Sequence, residues 1–148
     1  MKPILTFVIL IMVCEIYASA SEQNYEDCAE IYVSVENARG RLNAIGVSEF
    51  LNALSCDYSS TAEGGEFGSE LIMIVLENST KEFISEFDKL SQELQKQIIE
   101  EVKSPIHDGF DLQNIYNNVA NSNMESPAKS KLLSAIRTAV KGQGGEIK

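Results

Sequence analysis

The chain has 148 residues, and its 22 acidic against 12 basic side chains give a formal charge of −10. Such a charge repels nucleic acid and anionic lipid surfaces, so neither is expected as a partner. The length suits one domain with a continuous core.

Lys2 precedes an apolar run from Ile4 to Cys14, and the small residues Ala18-Ser19-Ala20 follow. Those three parts in that order predict a secretory signal peptide over residues 1–20, cleaved after Ala20. An uncleaved membrane anchor needs roughly 20 consecutive apolar residues, and this run is about half that before Glu15 interrupts it. No later segment is apolar for long enough to span a bilayer. The expected product is secreted and extracellular, with one helical domain over residues 21–142 and a flexible tail over 143–148.

Cys14 leaves with the signal, so Cys28 and Cys56 remain as an even pair in an oxidising compartment. They are expected to form a disulfide, which closes a loop of about 29 residues and contributes roughly 3–4 kcal/mol by restricting the unfolded chain. Two buried free thiols, or one catalytic thiol, are the alternative. No Cys-x-x-Cys spacing supports redox chemistry or zinc.

Apolar positions recur at helical spacing and sustained alternation is absent, which predicts an all-α helical bundle with a disulfide-closed N-terminal helical hairpin. A first helix is expected from Asn24 to Ala44, with Tyr25, Cys28, Tyr32, Val35 and Leu42 on its inner stripe and Gly46 ending the segment. Ser48 then caps a short helix holding Phe50, Leu51 and Leu54, whose end brings Cys56 back to the first helix. Asp57 to Gly68 is polar and glycine-rich, and reads as the main internal loop.

Leu71 to Leu76 is apolar on every side, which fits a buried strand or a buried helix, with helix preferred. Ser79-Thr80-Lys81-Glu82 matches a capping box opening a helix with Phe83, Ile84, Phe87 and Leu90, so a bend is expected near Asn78. Ser91 caps a helix carrying Leu94, Ile98, Ile99 and Val102, which Ser104-Pro105 stops. Asp111 caps the next, with Leu112, Ile115, Tyr116, Val119 and Ala120 as its stripe. Ser126-Pro127 opens the last helix, with Leu132, Leu133, Ile136 and Val140, and Gly142 is placed to close it.

Charge is unevenly distributed. Glu49 to Glu101 holds twelve acidic side chains against Lys81, Lys89 and Lys96, whereas beyond Pro127 five basic residues face only Glu146. The last helix can lie against the acidic middle, present a basic strip to a partner, or simply be solvated.

The chemistry of catalysis is thin. His107 is the only histidine, in the turn Ser104-Pro105-Ile106-His107-Asp108-Gly109, and reads as a solvated loop residue beside Asp108. Without a nucleophile elbow, a phosphate-cradling glycine loop or a zinc helix, the chain is expected to be non-enzymatic and to need no cofactor. Carboxylates at Asp108, Asp111, Glu100 and Glu101 lack the alternation of a calcium loop, so no metal site is expected. Asn78-Ser79-Thr80 is the only glycosylation sequon, and Asn78 is an acceptor if exposed. Ile72, Ile74, Val75, Phe83, Phe87, Ile98, Ile99, Leu112, Ile115, Tyr116, Leu133 and Ile136 either fill an ordinary core or line a cavity between helices.

Val119-Ala120-Asn121-Ser122-Asn123-Met124-Glu125-Ser126-Pro127-Ala128-Lys129, with Ala135-Ile136 after it, resembles the C-terminal part of the SXP/RAL family of small secreted nematode antigens. Leu90-Ser91-Gln92-Glu93-Leu94-Gln95 is similar both to that family and to nematode fatty-acid and retinol-binding proteins. The resemblance implies a small secreted helical protein, an antigen in the first case and a lipid carrier in the second. Two expectations follow. The leading one is a non-enzymatic carrier of a fatty acid or similar hydrophobic ligand between the C-terminal helices. The other is a secreted antigen or interaction protein, with a filled core, whose outer surface meets an extracellular protein.

Overall fold

A computed structural model describes residues 26–148, leaving aside the side chains of Asp57 and Tyr58. The proposed signal peptide and the start of the first helix, Tyr25 included, lie outside the described residues. Among those described, the backbone forms seven α-helices and no strand: α1 (26–37), α2 (Ala44–Ala53), α3 (Ala62–Asn78), α4 (Thr80–Phe87), α5 (Gln92–Lys103), α6 (Leu112–Asn121) and α7 (Pro127–Gly142). A 3-10 turn, Asp57–Ser60, links α2 to α3.

The all-α reading of the sequence is correct, and Cys28 and Cys56 are joined by a disulfide with their Cα atoms 6.7 Å apart. The bridge fastens α1 to the chain just beyond α2. Residue 26 to the bridge's far end therefore forms the hairpin that the paired cysteines required.

The first helix is shorter than its apolar stripe predicts. It stops at residue 37 instead of running to Ala44, because Arg39 (φ 51°) and Gly40 (φ 65°) adopt left-handed backbone. Gly40 N–H donates to the Val35 carbonyl and Arg39 N–H to that of Glu36, a pattern that satisfies the last carbonyls of a helix. The chain then restarts at Asn43, whose side chain accepts from Gly46 N–H and caps α2. Gly46 thus sits inside a helix and Ser48 caps nothing, contrary to the sequence-based boundaries.

A second correction concerns the glycine-rich segment. From Ala62 onward it is the first half of α3, capped by Thr61, whose hydroxyl accepts from Gly64 N–H. Glycine here permits close helix packing. A Cβ at Gly68 would lie 2.9 Å from the Tyr32 hydroxyl and 3.3 Å from a Leu54 methyl. The ambiguous stretch Leu71 to Leu76 belongs to the same helix, so the preferred helical reading is right.

The bend falls at Ser79 (φ −136°, ψ 45°), where α3 passes into α4. Ser79 does not cap α4 with its side chain, as a capping box demands. Its hydroxyl instead accepts from Leu42 N–H at 2.8 Å, and its proton faces the carbonyls of Gly40 at 2.8 Å and Leu42 at 3.1 Å. The buried Ser79 hydroxyl stitches the α3–α4 break to the α1–α2 connection, supplying partners to the buried Gly40 carbonyl and the part-buried backbone of Leu42.

Local signals fixed the later helices. Ser91, Asp111 and Ser126 accept from the N–H groups of Leu94, Asn114 and Lys129, as their positions before apolar stripes predict. The last helix ends through Gly144 (φ 76°) rather than Gly142, with Gly145 N–H donating to the Val140 carbonyl. Beyond it, Lys148 N–H donates to the Gln113 side chain.

Around α3, the central helix, pack the 3-10 turn, α4, α5 and α6; α7 lies along α5 and α6, and α2 along α4. Tyr32 anchors α1 to this body through edge-on contacts with Phe50 and Phe67, at 5.8 and 5.9 Å between ring centres.

Candidate functional site

The residues expected to line a ligand cavity are spread over five helices, and most are consumed in mutual packing. Ile72 and Val75 on α3, Phe83 and Phe87 on α4, Ile98 on α5, Leu112 and Ile115 on α6, and Ile136 on α7 are all buried in one continuous core. The Phe83 and Phe87 rings stack with centres 6.1 Å apart. Ile99, Leu133 and Tyr116 are partly buried at its margin, as is Ile74, which supports Gly40. The Tyr116 oxygen accepts from Arg137, whose guanidinium carbon sits 5.1 Å from the ring centre, so this side chain already has a cationic partner.

Ile72 and Ile98 border a small open pocket of about 50 Å³, together with Gly64, Gly65, Gly68, Ser69 and the polar side chains of Gln97 and Glu101. Ligand pockets usually occupy roughly 300–1,000 Å³, so this space suits a few water molecules and not an acyl chain. The Ser69 hydroxyl is buried beside it without a hydrogen-bond partner. Such a group benefits from a bound water.

A larger concavity lies elsewhere. A groove of about 650 Å³ opens between the end of α2, the turn that follows Cys56, the end of α4 and the start of α5. Its walls are mainly polar, including Ser48, Asn52, Ser55, Ser91 and Gln97, with Leu54, Leu90 and Leu94 as apolar contacts. The C-termini of α2 and α4 reach it with partial negative charge, and the N-terminus of α5 with partial positive charge.

One charged group in this groove is recessed. The Glu86 side chain is only 8% exposed, and its Oε1 receives a hydrogen bond from Lys89 Nζ at 2.6 Å. Lys89 is 64% exposed, so its ammonium is free to move into solvent. Sequence reasoning missed this groove because its residues come from two distant stretches, 48–60 and 86–97, and no periodicity marks their meeting.

The remaining chemical candidates stay apart. His107 is exposed and its Nε2 lies 3.9 Å from a Glu70 carboxylate oxygen. Asp108 accepts a long hydrogen bond from Gln143, and Asp111 is engaged in capping α6. Among the described residues no three His, Cys, Asp or Glu side chains gather where they could hold a metal ion. Asn78 is exposed at the last position of α3, where its amide donates to the Ile74 carbonyl. Within the same sequon Ser79 is buried, and the Thr80 hydroxyl donates to the Leu76 carbonyl.

Family models, curated protein sequences and solved structures give no match to the chain. No described helix is long and apolar enough to cross a membrane.

Proposed function

We propose that the protein is exported, is braced by its Cys28–Cys56 disulfide, and acts without catalysis as an extracellular interaction protein that meets a protein partner through its outer surface. The observation that carries this reading is the fate of the apolar side chains. Phe83, Phe87, Ile98, Ile115 and Ile136 are fully buried in one core, and the pocket beside Ile72 holds only about 50 Å³. An internal lipid would have to replace those contacts, and separating packed side chains costs on the order of several kcal/mol. The amino-terminal pattern and the even cysteine pair support export, and an exposed Asn78 supports a glycan at the α3–α4 bend.

Expression in a eukaryotic secretory cell line tests the reading. The expected product appears in the medium, begins at Ser21, carries an intact disulfide and shows no bound lipid by native mass spectrometry. Saturable uptake of an environment-sensitive fluorescent fatty acid, displaced by natural lipids at micromolar concentration, would reinstate the carrier. Retention in the cytosol with the leader attached would remove the premise of export.

A further inference from the structure

We propose that the glycosylation site at Asn78 is open only while the chain is still folding, and that closure of the α3–α4 break onto the rest of the molecule shuts it. This deepens the export reading and rests on it, because the sugar donor meets only chains that enter the secretory path.

The transfer itself sets the demand on the acceptor. The Asn78 amide nitrogen gives up one proton and bonds to the first carbon of the sugar, whose bond to the pyrophosphate of a lipid-linked oligosaccharide breaks as the lipid pyrophosphate leaves. A sequon is defined by that amide and by the hydroxyl two residues on, so the transferase must hold both at once.

In the folded protein each group is committed to backbone one turn earlier. Asn78 Nδ2 donates to the Ile74 carbonyl at 3.0 Å, and Thr80 Oγ1 donates to the Leu76 carbonyl at 2.7 Å. The two residues stand on different helices, at the last position of α3 and the first of α4, and Ser79 between them is buried. To present amide and hydroxyl together, the break must open and Ser79 must leave the interior. Exposure of Asn78 alone is therefore not access.

The anchors on either side are distant in sequence. Ser79 is held by Gly40 and Leu42, 39 and 37 positions earlier. Glu77 is held by α6, where the Asn114 amide donates to its carboxylate at 2.9 Å and the Asn118 amide to its carbonyl at 3.2 Å, 37 and 41 positions later. Contacts of such separation form after local helices do. At a synthesis rate of about 5–20 residues per second, the chain needs roughly 2–8 s beyond Asn78 to supply Asn118. Modification has that window, and afterwards competes with the fold. An attached glycan projects from an exposed position, so the finished structure accommodates it.

The test uses the disulfide-bonded protein from Ser21 onward, made without glycan in a bacterial host, together with purified oligosaccharyltransferase and its lipid-linked donor. A peptide spanning residues 75–82 is the unfolded reference. The folded protein should be modified at least roughly 100-fold more slowly than the peptide, as transfer that waits for local opening requires. Ser79→Ala keeps an Asn-x-Thr sequon and, measured against its own peptide, should recover about tenfold or more of that loss. Asn118→Ala, which loosens only the α6 side, should recover severalfold.

The comparison of folded protein with peptide needs no variant, so it stands even if Ser79→Ala fails to fold. A folded rate within about threefold of the peptide would overturn the proposal. Equally slow transfer in the wild type and both variants would overturn it too, because the anchors would not be what shuts the site. An unmodified peptide would remove Asn78 as an acceptor altogether. Retention of the precursor in the cytosol would defeat the export reading without altering these rates, so the two failures are distinguishable.

Discussion

Gly40→Ala is expected to be among the most damaging small substitutions in this protein. The added Cβ would lie 2.7 Å from the Ile74 Cγ2, 2.7 Å from the Ile74 carbonyl oxygen and 2.8 Å from its carbon. Two of those three atoms are backbone of α3, which cannot rotate away. Left-handed backbone costs an L-residue about 1–2 kcal/mol, and relieving the overlap adds about 1–3 kcal/mol. Movement of the turn also weakens the Ser79 hydrogen bond to the Gly40 carbonyl, for about 1 kcal/mol more.

The total is about 3–6 kcal/mol, against a domain stability of about 5–15 kcal/mol. At this chain length it corresponds to a fall in Tm of roughly 10–25 °C. Urea and thermal denaturation followed by circular dichroism, with the disulfide intact, measure it. Arg39→Gly is the paired control. Arg39 is exposed and also left-handed, so glycine there should leave stability unchanged or raise it by about 1 kcal/mol. A loss below about 1 kcal/mol for Gly40→Ala would show that the turn retreats from Ile74 freely, and the close-approach argument would fail.

Two other perturbations test how the halves are held. Ser79→Ala should cost about 2–4 kcal/mol in the same denaturation assay, because it strands the Leu42 N–H as well as the Gly40 carbonyl; a loss of only a few tenths would mean that water replaces the hydroxyl. Replacing both Cys28 and Cys56 by serine should lower stability by about 3–4 kcal/mol while leaving most of the helical dichroism, since α3 to α7 do not depend on the bridge; an unchanged urea midpoint would refute the loop-closure estimate.

Much of the helical layout was legible because a cap needs only its neighbours. Ser91, Asp111 and Ser126 each stand just before an apolar stripe, and the hydrogen bond that makes a cap reaches three residues. The disulfide was legible from parity and the expected oxidising compartment. What failed depended on distant partners. Gly64, Gly65 and Gly68 read as a loop because their poor intrinsic helicity is local, whereas the close approach of Tyr32 that makes glycine useful at Gly68 spans 36 positions. Ser79 fitted a capping box, yet its hydroxyl is claimed by residues 37 and 39 positions earlier. The end of α1 was signalled by Gly40, but the apolar stripe continues past it to Leu42 and hid the stop. Most of the apolar candidates are interior residues, with Ile99, Leu133 and Tyr116 at the margin, but periodicity cannot distinguish a filled interior from a hollow one. The groove left no trace at all, being assembled from segment ends.

Both cysteines lie on the same side of the 3-10 turn. A protease that severed the chain between Ser60 and Ala62 would therefore leave two pieces with no covalent tie, whatever the oxidation state. They would be held by the seating of Gly40 on Ile74, the Ser79 clasp and the interlocked rings of Tyr32 and Phe67. The sulfur bridge thus guards the front of the molecule against unravelling, and gives it no insurance against scission.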